Sequence, residues 1–348
     1  MRVVVTGHNG YIGSVLVPVL QRAGHEVVGL DTYLYEDCRF GPGLPDVPSL
    51  RMDLRDVTPM ALGGFDAVIH LAALCNDPLG NLNPGSTYDI NHHASVRLAK
   101  AAKAAGVGRY LFASSCSLYG LAGDEMLTEE AGFNPITPYG ESKILTEQDV
   151  RPLADANFSP VFLRNATAYG VSPRLRCDIV VNNLVGYAMT QGDVLIQSDG
   201  TPWRPLVHVE DIARAFLAAL EAPRELVHNQ AFNVGRNADN LRVREVADMV
   251  KAVVPGCTIR YAEGGGPDPR SYRVDCSKLA RTLPAFHPQW TVAKGVRQLY
   301  EAYRAADLTS EQFHTRYFRL KQIRKLQDEG RLGEDLRWQR AATAAARA

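Results

Sequence analysis

Residues 109–120 read RYLFASSCSLYG, and residues 137–143 read TPYGESK. Tyr110, Leu111, Phe112 and Ala113 form a continuous apolar run, which suits a strand covered on both faces in a parallel sheet. The run ends in Ser114, Ser115, Cys116 and Ser117. In an open α/β sheet, ligands sit at the carboxyl ends of the strands, so these hydroxyls are expected to face a site. Thr137 is a good helix N-cap, and Pro138 is pre-set for the first turn. Tyr139 and Lys143 are four apart and share one helix face. An ammonium beside a phenol favours the phenolate, so the Tyr139 pKa is expected to fall from about 10 towards neutrality. Tyr139 is then a general acid/base, with Ser115 hydrogen-bonding the same substrate hydroxyl. A Tyr-x-x-x-Lys pair alone would equally describe a surface helix, so the rest of the chain has to decide.

The amino terminus decides it. Val3, Val4 and Val5 make a first buried strand, followed by Gly7, Gly10 and Gly13 at the spacing G-x-x-G-x-x-G. Residues 11–23 read as a helix closed by Gly24. Glycines let backbone approach a pyrophosphate, and a helix amino terminus offers free N–H groups and positive dipole. A second strand, EVVGLD, ends at Asp31. A carboxylate there accepts hydrogen bonds from an adenosine ribose and repels a 2′-phosphate, which favours NAD over NADP.

Together, these residues resemble the extended short-chain dehydrogenase/reductases, specifically the NAD-dependent nucleotide-sugar epimerases and dehydratases. The resemblance covers residues 1–304. It implies a Rossmann-type doubly wound parallel α/β sheet with a smaller α/β substrate-binding lobe and a helical C-terminal extension. The expected division is 1–166, with 204–236 returning to it; 167–203 and 237–306 as the lobe; and 307–348 as the extension. Ser115, Tyr139 and Lys143 take the catalytic positions. Gly7, Gly10, Tyr11, Ile12, Gly13, Asp31, the pair Asp53-Leu54, the small residues Leu71, Ala72 and Ala73, Asn91 and Ser114 fall at cofactor positions, as do Tyr139 and Lys143. Residues 66–73 read as the fourth strand, 86–105 as an alanine-rich helix, and 161–164 as the sixth strand.

The lobe follows the same pattern. Asn182, Asn183 and Leu184 open a helix where related enzymes grip a nucleotide diphosphate. Arg204 precedes a segment, 206–211, expected to return the chain to the sheet, and Arg270 lies in a second arginine segment. Two guanidinium forks suit a diphosphate. Cys116, Ser117 and Thr167 fall at sugar-binding positions. The 4,6-dehydratases carry an aspartate and a glutamate where this chain has Cys116 and Ser117. Elimination therefore lacks its acid and base, since a serine hydroxyl is no free acid. The expected activity is epimerisation at C4 through a transient 4-keto sugar. Rivals are a 4-keto-sugar reductase, a 3,5-epimerase using Cys116, and a non-catalytic NAD-sensing protein.

Composition narrows the partners. Lys+Arg and Asp+Glu both number 38, so no polyanion partner is indicated and nucleic-acid binding is not expected. No apolar run approaches the ~18 residues of a membrane span, and no signal peptide is visible. Six scattered cysteines without Cys-x-x-Cys fit a reducing cytoplasm and argue against a zinc site. Relatives pair through the helix at 86–105 and the one after Tyr139, so a homodimer is expected. Past Asp307 the resemblance ends. Phe313, Tyr317, Leu320, Ile323 and Leu326 predict an amphipathic helix broken by Gly330, then a docked turn with Leu332, Leu336 and Trp338, and a frayed end.

Overall fold

A computed structural model describes residues 1–41, 43–44, 47–263, 266, 268 and 270–339. The frayed end expected at 341–348 lies outside them. Strands β1 (Arg2–Thr6), β2 (Glu26–Asp31), β3 (Ser49–Arg51), β4 (Ala67–His70) and β5 (Arg109–Ser115) join Ser159–Asn165 and Ala231–Val234 in one seven-stranded sheet. The order is Ala231–Val234, Ser159–Asn165, β5, β4, β1, β2, β3, and every pairing is parallel.

Alternation along each strand supplies two cores. Val3, Val5, Ile69 and Leu111 pack with Leu16, Ile212 and Phe216 on one face. Val4, Val68, Tyr110 and Phe112 pack with Leu98, Ala99 and Ala102 on the other. The chain leaves β1 for β2 and β3 on one side, then crosses to β4 on the other. The switch between β1 and β4 opens the crevice where ligands of such sheets bind.

A second body holds a three-stranded sheet, ordered Asn240–Arg242, Trp203–His208, Thr167–Tyr169, and a pair made by Thr258–Tyr261 and Asp193–Ile196. Its core gathers Val181, Leu184, Val246, Val296, Leu299 and Phe313. The segment expected to rejoin the central sheet at 206–211 does not do so as a strand. Trp203–His208 stays in the three-stranded sheet, and the helix Val209–Glu221 and strand Ala231–Val234 make the return.

Two other expectations change in detail. The helical run 84–104 is not uniform: Tyr88–His93 is a π-helical turn. The extension is two helices rather than one, Ser310–Thr315 and Arg319–Asp328. The Tyr317 carbonyl between them accepts from the Cys177 N–H, so the chain bends where it is tied to the lobe. Gly330, at φ 66°, ends the second helix, and Leu332 and Leu336 then pack with Leu34, Leu74, Leu79 and Leu326.

Candidate active site

The Thr137 hydroxyl accepts from the Gly140 N–H at 3.2 Å and starts the helix Pro138–Val150. It also donates to Asp77 Oδ1 at 2.7 Å, fixing the helix start to the segment after β4. Lys143 is buried: its Nζ donates to the Ala113 carbonyl at 2.8 Å and lies 5.7 Å from the Tyr139 ring centroid. Ser115 ends β5; its hydroxyl accepts from the Ser117 N–H at 3.1 Å, donates to the Ser117 hydroxyl at 3.0 Å, and lies close enough to the Tyr139 phenol to favour its ionised form. The three residues expected to be catalytic therefore meet at the carboxyl end of β5.

The expected fall in the Tyr139 pKa is not found. Burial pushes the phenol well above its ordinary value, and Cys75 and Asp77 add to that. The Ser115 hydrogen bond and the Arg176 charge pull the other way without prevailing. Lys143 is itself brought down to about 8, because burial disfavours its charge.

The glycine loop fits a dinucleotide. At Gly7, φ is +73°, and a Cβ would lie 2.7 Å from the Ala72 backbone nitrogen. A Cβ on Gly13 would lie 2.6 Å from the His8 Cα and run into the Gly7 carbonyl. Gly10 N–H bonds the Gly7 carbonyl at 3.0 Å. The loop has no room for a Cβ at Gly7 or Gly13, and it sits at the β1–β4 switch against Leu71 and Ala72, with Ala73 next along the chain. These residues would hold the pyrophosphate of NAD.

Other cofactor positions have additional commitments. Tyr11 turns to the lobe, donating to the Gly170 carbonyl at 2.7 Å, and Ile12 packs on the core. Asp31 accepts from the Asn9 N–H at 3.0 Å and the Tyr33 N–H at 2.7 Å, which joins the glycine loop to the segment after β2. Asp53 is held by the Arg55 guanidinium at 2.8 Å, with its carboxyl below the usual range despite burial, and Leu54 is buried in the core. Asn91, on the π-helical turn, grips Leu74 through both backbone groups at 2.7 and 3.0 Å. Ser114 donates to the buried Glu147 at 2.6 Å. Asn91 and Ser114 therefore position the floor rather than present a free side chain.

On the substrate side, Ser117 and Thr167 are partly exposed. Cys116 is not available: it is fully buried, its thiol donates to the Arg164 carbonyl at 3.2 Å, and burial raises its pKa well above the usual value. That removes the 3,5-epimerase built on this thiol. Asn182 neither caps its helix nor faces a ligand. Its side chain bonds the Gly170 N–H at 2.9 Å and the Arg176 carbonyl at 2.8 Å. Asn183 donates to the Cys177 carbonyl at 2.9 Å, and Leu184 lies in the lobe core. The two arginines do converge. Arg204 and Arg270 reach Asp268 Oδ2 at 2.6 and 2.7 Å, and Arg270 also bonds Asp77 at 2.7 Å.

Sequence reasoning missed Asp77, which links the Tyr139 helix to Arg270. The signal was available: Asn76-Asp77-Pro78 is a capped helix start, with Asn76 accepting from the Leu79 N–H at 3.1 Å. Arg176 and Asp178, paired at 2.9 Å, carried no recognisable motif. No metal cluster occurs among the described residues.

The geometry agrees with the comparisons. Residues 3–235 match the NAD dependent epimerase/dehydratase family. The UDP-glucose 4-epimerase of Neisseria meningitidis serogroup C is 29% identical over 290 residues, covering 75% of this chain and 84% of that relative. The structure of MoeE5 in complex with UDP-glucuronic acid and NAD superposes with a TM-score of 0.74 at 30% identity, covering 88% of this chain and 99% of that one. The UDP-glucose 4-epimerase of Thermus thermophilus in complex with NAD gives 0.75 at 26% identity, covering 88% and 100%. With its switch-point glycine loop and serine–tyrosine–lysine centre, the chain belongs to the NAD dependent epimerase/dehydratase family.

Proposed function

We propose that this protein is an NAD-dependent epimerase that inverts C4 of a uridine-diphosphate sugar. The carrying observation is the meeting of Ser115, Tyr139 and Lys143 at the end of β5, with Ser117 and a buried Cys116 where elimination would need carboxylates. When bound, NAD supplies a hydride acceptor and returns the same hydride. The step starts from ionised Tyr139, its own proton released to solvent: the phenolate oxygen takes the proton of the sugar hydroxyl and later gives it back, while the Ser115 hydroxyl orients the sugar oxygen. Burial makes that phenolate costly, and the charged Lys143 ammonium offsets part of the cost. Arg204 and Arg270 stand ready for the diphosphate, held side by side by Asp268, with Arg270 also paired to Asp77.

The test is incubation of purified protein with UDP-glucose or UDP-galactose and no added cofactor, with Tyr139→Phe beside it. Interconversion is expected, and the variant should lose about 10²–10⁴-fold in rate while retaining NAD. Strict need for stoichiometric NADH and a 4-keto sugar would instead identify a reductase.

Pairing of two copies through the run 84–104 and the Pro138–Val150 helix is part of the proposal, as is a reducing cytoplasmic setting, which six unpaired cysteines suit. The outer face of those helices carries Tyr88–Glu141 at 2.6 Å and His92–Asp149 at 2.7 Å. Such a polar interface should loosen with salt. Light scattering should show a dimer at low ionic strength, and a monomer at every salt concentration would exclude it.

A further inference from the structure

Three buried polar groups meet no hydrogen-bond partner among the described residues, Arg176 Nη2, Arg319 Nη1 and the Tyr35 hydroxyl, and their residues are joined through Asp178 and the Tyr35 ring. Arg176 is 9% exposed and Arg319 3%. Both use Asp178: Arg176 Nε donates to Oδ1 at 2.9 Å, and the Arg319 backbone N–H donates to Oδ2 at 3.3 Å. The Arg319 guanidinium lies 4.2 Å from the Tyr35 ring centroid. Three separate parts of the chain thus contribute. Tyr35 follows β2, Arg176 and Asp178 come from the loop before the helix Val180–Gln191, and Arg319 opens the second helix of the extension.

The charges do not balance. Asp178 faces two buried guanidinium side chains, and its Oδ2 also takes the Asn76 amide at 2.9 Å. The next carboxylates are committed elsewhere, Asp31 to the Asn9 and Tyr33 N–H groups and Asp37 to the Gln322 amide. Two buried cations that share one carboxylate are costly, and an oxyanion would answer both the excess charge and the open donors. The position is informative too. Arg319 Nη2 donates to the Arg174 carbonyl at 2.8 Å, and Arg174 in turn donates to Asn9 Oδ1 of the glycine loop at 2.7 Å. The Asn182 amide bonds both the Arg176 carbonyl at 2.8 Å and the Tyr11 hydroxyl at 3.4 Å.

We propose that Arg176, Arg319 and Tyr35 form a second anion cradle that, with the glycine loop, holds the diphosphate of the bound dinucleotide. The proposal rests on the NAD reading above. It makes the C-terminal extension part of the cofactor site.

The experiment uses full-length protein freed of NAD by charcoal, titrated calorimetrically with NAD, ADP and adenosine. Arg319→Met and Arg176→Gln should each weaken NAD and ADP by about tenfold or more and leave adenosine unchanged, since only the first two carry phosphate. Arg319→Lys, which keeps the charge, should recover part of the loss, and ligand-free melting curves establish that each variant is folded. Equal losses for adenosine and ADP, or unchanged ADP affinity in a folded variant, overturn the cradle. A loss confined to UDP-glucuronic acid, with UDP-glucose and NAD unaffected, also overturns it and assigns the pocket to a sugar carboxylate. Failure of the unsubstituted protein to bind NAD would instead strike the cofactor reading itself.

Discussion

Lys143 links pH to both catalysis and stability, in opposite directions. Its pKa of about 8, against 10.5 when unperturbed, follows from burial beneath β5. Below about 8 the ammonium is charged and can stabilise a phenolate, so activity should fall as pH rises through that value. For stability, the unfolded chain binds the extra proton between about 8 and 10.5, so this group's contribution grows as pH rises and is lost as pH falls through the folded pKa. A pH–rate profile of kcat and a parallel melting series will show this opposition. Lys143→Met should leave a stable, nearly inactive protein with no alkaline limb near 8. A limb that persists in that variant would assign it to another group.

At the scale of elements, the β1–α1 connection (α1, Gly13–Arg22) leaves no room for a side chain at its turn. A Cβ on Gly13 meets only backbone, the His8 Cα at 2.6 Å among it, and backbone cannot swing aside as a side chain can. Gly13→Ala should therefore weaken NAD binding by more than about tenfold in a chain that still folds, as read by calorimetry and circular dichroism. Gly24, at φ +83° with open space around it, is the control. Gly24→Ala should cost roughly 1–2 kcal/mol of stability and leave NAD affinity alone. If both substitutions act alike, the loop's close approach is not what holds the cofactor.

At the scale of the molecule, the extension is a strap across the carboxyl-end side of the central sheet. Trp338 Nε1 donates to the Thr32 carbonyl at 2.6 Å, Arg337 bonds Asp56 at 2.8 Å, and Arg55 bonds the Asp335 carbonyl at 2.9 Å. Leu326 and Ile323 pack with Leu34, Leu74 and Leu79, so the strap supports the segment carrying Asn76 and Asp77. Leu326→Ala should destabilise by about 2–5 kcal/mol, lowering Tm by roughly 3–7 °C. NAD should raise the Tm of the variant, since the folded form alone binds it. An unchanged Tm would mean that the strap adds nothing to the fold.

Much of this was legible in the sequence. Val3–Val5 with Gly7, Gly10 and Gly13, the acid ending β2, and Thr137-Pro138-Tyr139 with Lys143 are local patterns of strand, tight loop, cap and helical spacing. Backbone geometry within a few residues determines each of them, so they place the sheet, the loop and the catalytic face before any packing is known. What sequence could not decide depends on residues far apart in the chain. Cys116 is inert because Tyr272, Val274 and Cys276 bury it with Leu118. Asn182 is spent on Gly170 and Arg176, and the Tyr139 proton is held by desolvation that no neighbour in sequence supplies. Arg319 reaches Asp178 and Tyr35 only because Tyr317 bends the extension against the lobe. Burial and charge are sums over everything packed around a group, and only the tertiary structure brings those terms together.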